Sequence, residues 1–281
     1  MNDNFNFTAV TTDDGSLSWE ECVLWLKAQP DQEDLIRACF YDDPLQSAAE
    51  RYYRSTEWLA LRKELPQVGR VLDIGSGRGI SAYAFAKDGW QVDALEPNGS
   101  NVVGAGAIRA LAKDENLAIT VEQTWGEKLP YADETFDVVH GRQVLHHAHD
   151  LTQLCREAAR VLRPNGIFIA TREHVISRHE DLPKFLNSHP LHKLYCGEHA
   201  YLLKEYKQAI VASGIQLKKV LNPYESDINL YPETQATIKH LIKNKLRVPD
   251  FLPIPDFLLT IAAECNHTPG RLYTFIGIKH A

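Results

Sequence analysis

From Arg70 to Thr171 the chain switches repeatedly between short apolar runs and longer helical patterns, and this switching limits the fold more than any single residue does. RVLDI (70–74), WQVDALE (90–96), AITVEQ (118–123), FDVVHG (136–141) and GIFIAT (166–171) have the length and composition of strands. Helical patterns separate them. One runs from about Ile80 to Asp88 and is stopped by Gly89; one of small residues covers about 100–115; one covers 150–163. In the last, Asp150 is placed to cap the helix with Gln153 three residues on. Leu151, Leu154, Cys155, Ala158 and Leu162 share a face, and RPNG (163–166) stops it. Strands alternating with helices predict a parallel, doubly wound α/β sheet, whose ligand lies at the carboxyl ends of the strands.

Three segments fall outside this unit. Residues 16–65 (SWEECVLWLKA, AAERYYRSTEWLALRKEL) read as helices preceding the sheet. Residues 172–200 are polar and rich in histidine, and lead into a helix at 201–213 that Gly214 ends. Residues 223–268 carry prolines at 223, 232, 249, 253 and 255 with some helix, and separate IQLKKVL (215–221) from a last strand, RLYTFIGIK (271–279). These two strands bring the sheet to seven and predict an antiparallel hairpin at its edge. The expected division is an N-terminal helical cap at 1–66 and a ligand-binding domain at 67–281, with helical insertions at 172–200 and 223–268.

A chain of 281 residues with 44% hydrophobic and 24% charged residues has enough apolar side chains for a sizeable core. Its net charge of −7 disfavours a general nucleic-acid binder. The five cysteines (22, 39, 155, 196 and 265) are scattered and form no CxxC, so neither a disulfide framework nor a structural zinc site is expected. MNDNFNFTAV has no basic start followed by an apolar run, and FLPIPDFLLTIAA (251–263) is too short to span a bilayer. A soluble, cytoplasmic protein is expected.

The loop after the first strand, VLDIGSGRG (71–79), narrows the ligand. A dinucleotide loop needs GxGxxG, but Gly75, Gly77 and Gly79 give GxGxG and position 80 is Ile. Asp73 stands two residues before the first glycine, where a carboxylate repels pyrophosphate and favours a cation or a hydroxyl. No GK[ST] follows, which excludes a phosphate-binding P-loop. S-adenosylmethionine, with its ammonium, sulfonium and ribose diol, fits such a loop.

Four blocks in order resemble the class I S-adenosylmethionine-dependent methyltransferases, in particular the small-molecule group of the ubiquinone-biosynthesis enzymes. They are VLDIGSGRG, ALEPN (94–98), GEKLPYADETFDVV (126–139), and VLHHAHD (144–150) with its helix ending LRPNG. The resemblance covers roughly residues 68–172 and implies a Rossmann-like fold. It implies that Gly75 and Gly77 let the loop pass close to the methionine part and that Asp73 organises its amino group through water. It also implies that Glu96, beside Pro97, holds the ribose diol, and that the Gly126 N–H meets the adenine. Many relatives carry an Asp where Trp125 stands; here Trp125 is expected to stack on the adenine or Glu127 to supply the acid. Arg142 in HGRQ (140–143) is counted with the cofactor site. Tyr53, from RYYRSTEW (51–58), is expected with Tyr52 and Arg54 to contact the cofactor carboxylate or to close the substrate pocket. Asp137 in FDVV is expected to serve structure rather than chemistry.

Nine of the twelve histidines lie between 140 and 199, and a histidine near neutral pKa is a suitable general base for methylating an acidic hydroxyl. His147 and Glu173, at the ends of strands four and five, are the first candidates for base or substrate anchor. No metal is expected: there is no HExxH, and HVISRHED (174–181) matches no ligand spacing. Cys196, a single thiol, does not carry metalloid chemistry. HPLHKLYCGEHAYLLKEY (189–206) reads as a substrate loop or lid. KHLIKNKLRVPDFLPIPDFLL (239–259) packs on the domain, forms a contact between copies, or meets a lipid-linked acceptor.

The expected activity is methyl transfer from S-adenosylmethionine to an oxygen or nitrogen of a small molecule such as a sugar, glycan precursor or secondary metabolite, leaving S-adenosylhomocysteine. The alternatives are a noncatalytic cofactor-binding or interaction protein, and a protein or RNA methyltransferase. Against the nucleic-acid alternative, HGRQ stands where an NPPY or DPPY would follow strand four.

Overall fold

The computed structural model describes residues 17–280 except 196, 248 and 250. Four helices open the described chain: α1 (Trp19–Lys27), α2 (Glu33–Ala38), α3 (Leu45–Tyr53) and α4 (Thr56–Leu61). Ser18 and Glu21 form a reciprocal capping box that starts α1. The alternating unit follows as β1 (Arg70–Ile74), α5 (Ile80–Lys87), β2 (Gln91–Leu95), α6 (Ala105–Asp114), β3 (Ile119–Glu122), β4 (Phe136–Arg142), α7 (Leu151–Val161) and β5 (Leu162–Ile176). Next come α8 (Leu182–Leu186), α9 (Pro190–Leu194), the short β6 (Tyr201–Leu202), α10 (Leu203–Ala212) and β7 (Ile215–Leu221). The described chain closes with α11 (Gln235–Leu246), α12 (Phe257–Glu264) and β8 (Arg271–Lys279).

The sheet has the order β3-β2-β1-β4-β5-β8-β7, with β6 paired beside β5. Strands β1 to β5 are parallel, and β8 runs antiparallel to both β5 and β7. The edge hairpin is therefore as expected, and β6 is the eighth strand that the sequence did not announce. Two residues pairing in parallel, Val175 with Tyr201 and Ile176 with Leu202, leave no period-2 pattern to read.

Strand β5 is longer than the apolar run GIFIAT, because β8 supplies pairing on both sides of a bulge between Ala170 and Glu173. Arg172 sits in that bulge at φ +60°. Leu162, expected on the last turn of α7, instead begins β5; the helix ends at Val161. Within α7 the Asp150 side chain accepts from the Gln153 N–H at 2.9 Å, as the capping pattern requires.

The strands bury both faces. Along β4 and β5, Val139, Phe168 and Ala170 pack with Leu154, Cys155 and Ala158 of α7 and Tyr206 and Ile210 of α10. Their neighbours Val138 and Ile169 face the opposite core, with Ala82 and Phe85 of α5 and Ile108 of α6. Phe40 after α2, with Tyr52, Trp58 and Leu61 of α3 and α4, completes that second core, so the N-terminal segment shares apolar burial with the sheet. Each such fully buried large side chain contributes about 1.5–3 kcal/mol from leaving water.

Asp137 takes the Arg70 N–H at 2.8 Å and Arg163 Nη1 at 2.6 Å, tying β1, β4 and the start of β5 together. Around α11 and α12, Leu241, Leu246, Phe251, Phe257 and Ile261 are exposed. Among the described residues no helix is long and apolar enough to cross a membrane.

Candidate active site

The carboxyl ends of β1, β2, β3 and β4 converge on one edge, where parallel strands leave room for a ligand. Its floor is the loop after β1. Gly75 has φ +63°, and a Cβ there would lie 2.2 Å from Val144 Cγ2 in the turn after β4. Gly77 has φ +52°, and a Cβ there would meet nothing within 4 Å. The first glycine is demanded by close packing; the second borders open space.

Glu96 follows β2 and holds this loop. Its Oε2 accepts the Gly77 N–H at 2.8 Å and its Oε1 accepts the Asn98 N–H at 2.9 Å. Each oxygen keeps a second lone pair, so the carboxylate can still receive two hydroxyl donors. Burial pushes the Glu96 carboxyl up to about 7, against the pull of the Asn98 and Gly77 N–H groups. A half-neutral acid beside left-handed glycines suits a diol and not a pyrophosphate.

Asp73 is not where its position in the motif suggests. It is fully buried: Oδ2 accepts from Ser81 Oγ at 2.7 Å and Oδ1 lies 2.6 Å from His140 Nδ1. Strand alternation is the reason. Asp73 shares parity with Val71 in β1, and His140 with Val138 in β4, so both point into the α5-side core. Asp73 fastens the first turn of α5 to two strands and has no free path to a ligand ammonium.

Trp125 and Gly126 follow β3 at the rim. Trp125 is 58% exposed and meets the His149 ring edge-on at 5.3 Å. Gly126 is buried, with no room for a Cβ: one would lie 2.7 Å from Leu154 Cδ1. Pro97 is half-buried beside Glu96. Glu127 is already used, its Oε1 accepting the His149 N–H at 2.9 Å and its carbonyl accepting from Gln153 Nε2 at 3.2 Å. These contacts brace the entry to α7.

Glu173 is likewise not a candidate base. Its Oε1 accepts the Val144 and Leu145 N–H groups, both at 3.0 Å. Its Oε2 takes the His146 N–H at 3.2 Å and lies 2.8 Å from His146 Nδ1. All four acceptor positions are filled, and the side chain is fully buried. Glu173 builds the turn 144–147 and aims His146; it does not reach a substrate. His147 is the open member of that turn, with 34% of its side chain exposed. Burial of the rest of the ring lowers its pKa, against the Gly197 carbonyl 3.3 Å from Nδ1, and the imidazole is neutral at pH 7.

Two further expectations are corrected by long-range pairing. Arg142 Nε and Nη2 donate to the Glu57 carboxylate at 2.6 and 3.1 Å, with the guanidinium over the Phe40 and Tyr52 rings. Arg172 joins them, 3.6 Å from Glu57. This buried network secures α4 to the sheet and commits Arg142 within the protein. Tyr53 donates to Asp88 at 3.0 Å, at the far end of α5 from the glycine loop, roughly 12 Å away along an eight-residue helix. Tyr53 therefore packs at the wrong end for the cofactor.

Over this edge, α9 packs against α1: Leu191 joins Cys22, Val23, Leu26 and Val103, and the Leu17 N–H reaches the Leu194 carbonyl at 3.3 Å. The segment after α9 brings Glu198, 7% exposed, to the turn after β4. Neither Glu57 nor Glu198 was picked out from the sequence. Glu57 carries no local signal, because its partner lies 85 residues away. Glu198 did have one, an acid among the histidines of HPLHKLYCGEH. Cys196 lies outside the described residues.

This fold and edge define a nucleoside-binding doubly wound enzyme domain, and comparison with known proteins gives its class. Residues 72–170 match the family model described as a methyltransferase domain. The chain is similar to the ubiquinone biosynthesis O-methyltransferase of Rhizobium johnstonii, 30% identical over 183 residues that cover 62% of this chain and 72% of the relative. It is also similar to the 27-O-demethylrifamycin SV methyltransferase of Amycolatopsis mediterranei, 35% identical over 128 residues, covering 45% and 47% of the two chains. The crystal structure of YcgJ from Bacillus subtilis superposes with a TM-score of 0.53 at 23% identity, covering 80% of this chain and 98% of that one, and shares the fold. The chain belongs to the class I S-adenosylmethionine-dependent methyltransferases, and S-adenosylmethionine is its cofactor.

Proposed function

We propose that this enzyme methylates an oxygen atom of a small molecule and releases S-adenosylhomocysteine. The observation that carries the choice is the imidazole cluster at the turn after β4, with neutral His147 partly open. An attacking hydroxyl must lose its proton as it forms the new C–O bond, and groups that assist this loss matter for oxygen more than for a neutral amine. The oxygen attacks the methyl carbon in line, the C–S bond breaks, and its electron pair neutralises the sulfonium. Holding donor and acceptor in line provides much of the rate. The named activities of the rhizobial and Amycolatopsis relatives, both O-methyltransferases, support the same reading.

In this reading the Gly75–Gly77 backbone receives the methionine part, Glu96 takes the ribose diol, Trp125 stacks on the adenine and the Gly126 N–H meets its ring. Asp73 holds the loop in place from behind. The cover formed by α1, α9 and the segment to Glu198 favours an acceptor of small size over a polymer. The test is transfer from methyl-labelled cofactor to a panel of polyols, phenols and amines, read by mass spectrometry of the products. Methylation confined to hydroxyl acceptors is expected; methylation confined to amines refutes the reading.

A further inference from the structure

Three imidazole Nε2 atoms surround one buried carboxylate beside the proposed acceptor position. His146 Nε2 lies 3.7 Å from Glu198 Oε2, His147 Nε2 lies 3.7 Å from Oε1, and His192 Nε2 lies 3.9 Å from Oε2. None is a hydrogen bond; a charge-assisted N–H to carboxylate contact closes to about 2.7–2.9 Å. Glu198 Oε2 is buried and has no hydrogen-bond partner among the described residues, and its side chain is 3% exposed. A buried carboxylate without a donor is costly unless a cation compensates it.

The other nitrogens of the two adjacent rings fix the tautomers. His146 Nδ1 lies 2.8 Å from Glu173 and His147 Nδ1 3.3 Å from the Gly197 carbonyl, so each ring directs its Nδ1–H away and presents an Nε2 lone pair to Glu198. A carboxylate or carbonyl behind an imidazole is the usual backing of a metal-ligating histidine. The spacing agrees: ligand atoms about 2.0–2.1 Å from an ion in tetrahedral geometry are about 3.4 Å apart. The donor atoms of His146, His147 and Glu198 all lie within 4.8 Å of one another. The absence of any ligand motif in the sequence does not weigh against this, because Glu198 reaches the two histidines from a different segment.

We infer that His146, His147 and Glu198 bind one divalent transition-metal ion of the zinc type, with His192 lining the site and a fourth position open on the exposed side of His147. Two imidazoles and a carboxylate select such ions over magnesium or calcium, which prefer all-oxygen shells. The inference rests on the proposed oxygen transfer and adds its activating step. An acceptor hydroxyl in the open position becomes more acidic and loses its proton to water. The resulting alkoxide oxygen attacks the methyl carbon and the C–S electron pair returns to sulfur.

The test uses untagged full-length protein stripped with a chelator and titrated with Zn²⁺ and Co²⁺, following bound metal by equilibrium dialysis and the visible absorption of Co²⁺. One equivalent per chain is expected, with no equivalent uptake of Mg²⁺. Affinity should fall at least about 100-fold in Glu198→Gln and in His147→Ala, and about 10–100-fold in Glu173→Gln, which acts through His146 and the turn that carries both histidines. Calorimetric binding of S-adenosylmethionine to the stripped protein reports folding and the cofactor reading separately. Less than stoichiometric binding by a protein that still binds cofactor, or metal binding unchanged in both Glu198→Gln and His147→Ala, overturns the metal site and leaves the methyltransferase assignment standing.

Discussion

Replacing Glu57 by Gln removes the one carboxylate between two buried guanidinium groups. Glu57 is fully buried, and the side chains of Arg142 and Arg172 are 13% and 10% exposed. The substitution leaves two cations facing each other with only backbone carbonyls of Ile228 and Tyr231 on the Arg172 side. Removing one partner of such a buried pair costs about 3–5 kcal/mol. At about 2–4 °C per kcal/mol for a chain somewhat smaller than this one, the melting midpoint should fall by roughly 6–20 °C. Thermal unfolding followed by circular dichroism at pH 7 measures it. The double variant Glu57→Leu/Arg142→Met should recover only part of the loss, because it removes one of the two unpaired charges and leaves Arg172 with the Ile228 and Tyr231 carbonyls.

The pH dependence follows from the same contacts. Burial alone would raise the Glu57 pKa, but the charges of Arg142 and Arg172 and the Arg142 hydrogen bonds outweigh it and hold the carboxyl below its ordinary value. Its stabilisation is therefore complete above the unfolded value of about 4.3 and disappears as pH falls through the lower folded value. The gap between wild type and Glu57→Gln should be constant from about pH 5 to 7 and close under acid. A midpoint within about 2 °C of wild type at pH 7 refutes the claim that this pair is a buried, uncompensated dependency.

The remaining predictions concern the cofactor. Glu96→Gln should raise the dissociation constant for S-adenosylmethionine by roughly 10–100-fold, the worth of one charged hydrogen bond, as measured by calorimetry. With the Glu96 carboxyl at about 7, wild-type affinity should weaken as pH falls through 7, and the variant should lose that dependence. Trp125→Ala should weaken cofactor binding by about 1–3 kcal/mol if the indole stacks on adenine; unchanged affinity would return Trp125 to a packing role against His149.

The glycine loop shows how far local reading goes. GxGxG with an acid after the next strand was enough to separate a diol-bearing nucleoside from a pyrophosphate, because backbone conformation and charge there are set within a few residues. The same loop misled about Asp73. Its role depends on which face of β1 it occupies and on His140 from β4, and parity becomes a contact only when the strands pair. Glu173 resembles a free acid in the sequence, yet backbone N–H groups from the turn after β4 occupy it.

The sequence by itself determined the strand and helix alternation, the edge hairpin and the resemblance to the methyltransferase class, since each rests on periodicity or on neighbours close in the chain. Only the tertiary structure decided that Arg142 belongs to Glu57, that Tyr53 sits at the far end of α5, and that Glu198 joins His146 and His147. Those outcomes bring together groups dozens of residues apart, and chain connectivity places no constraint on such pairs until the core has closed around them.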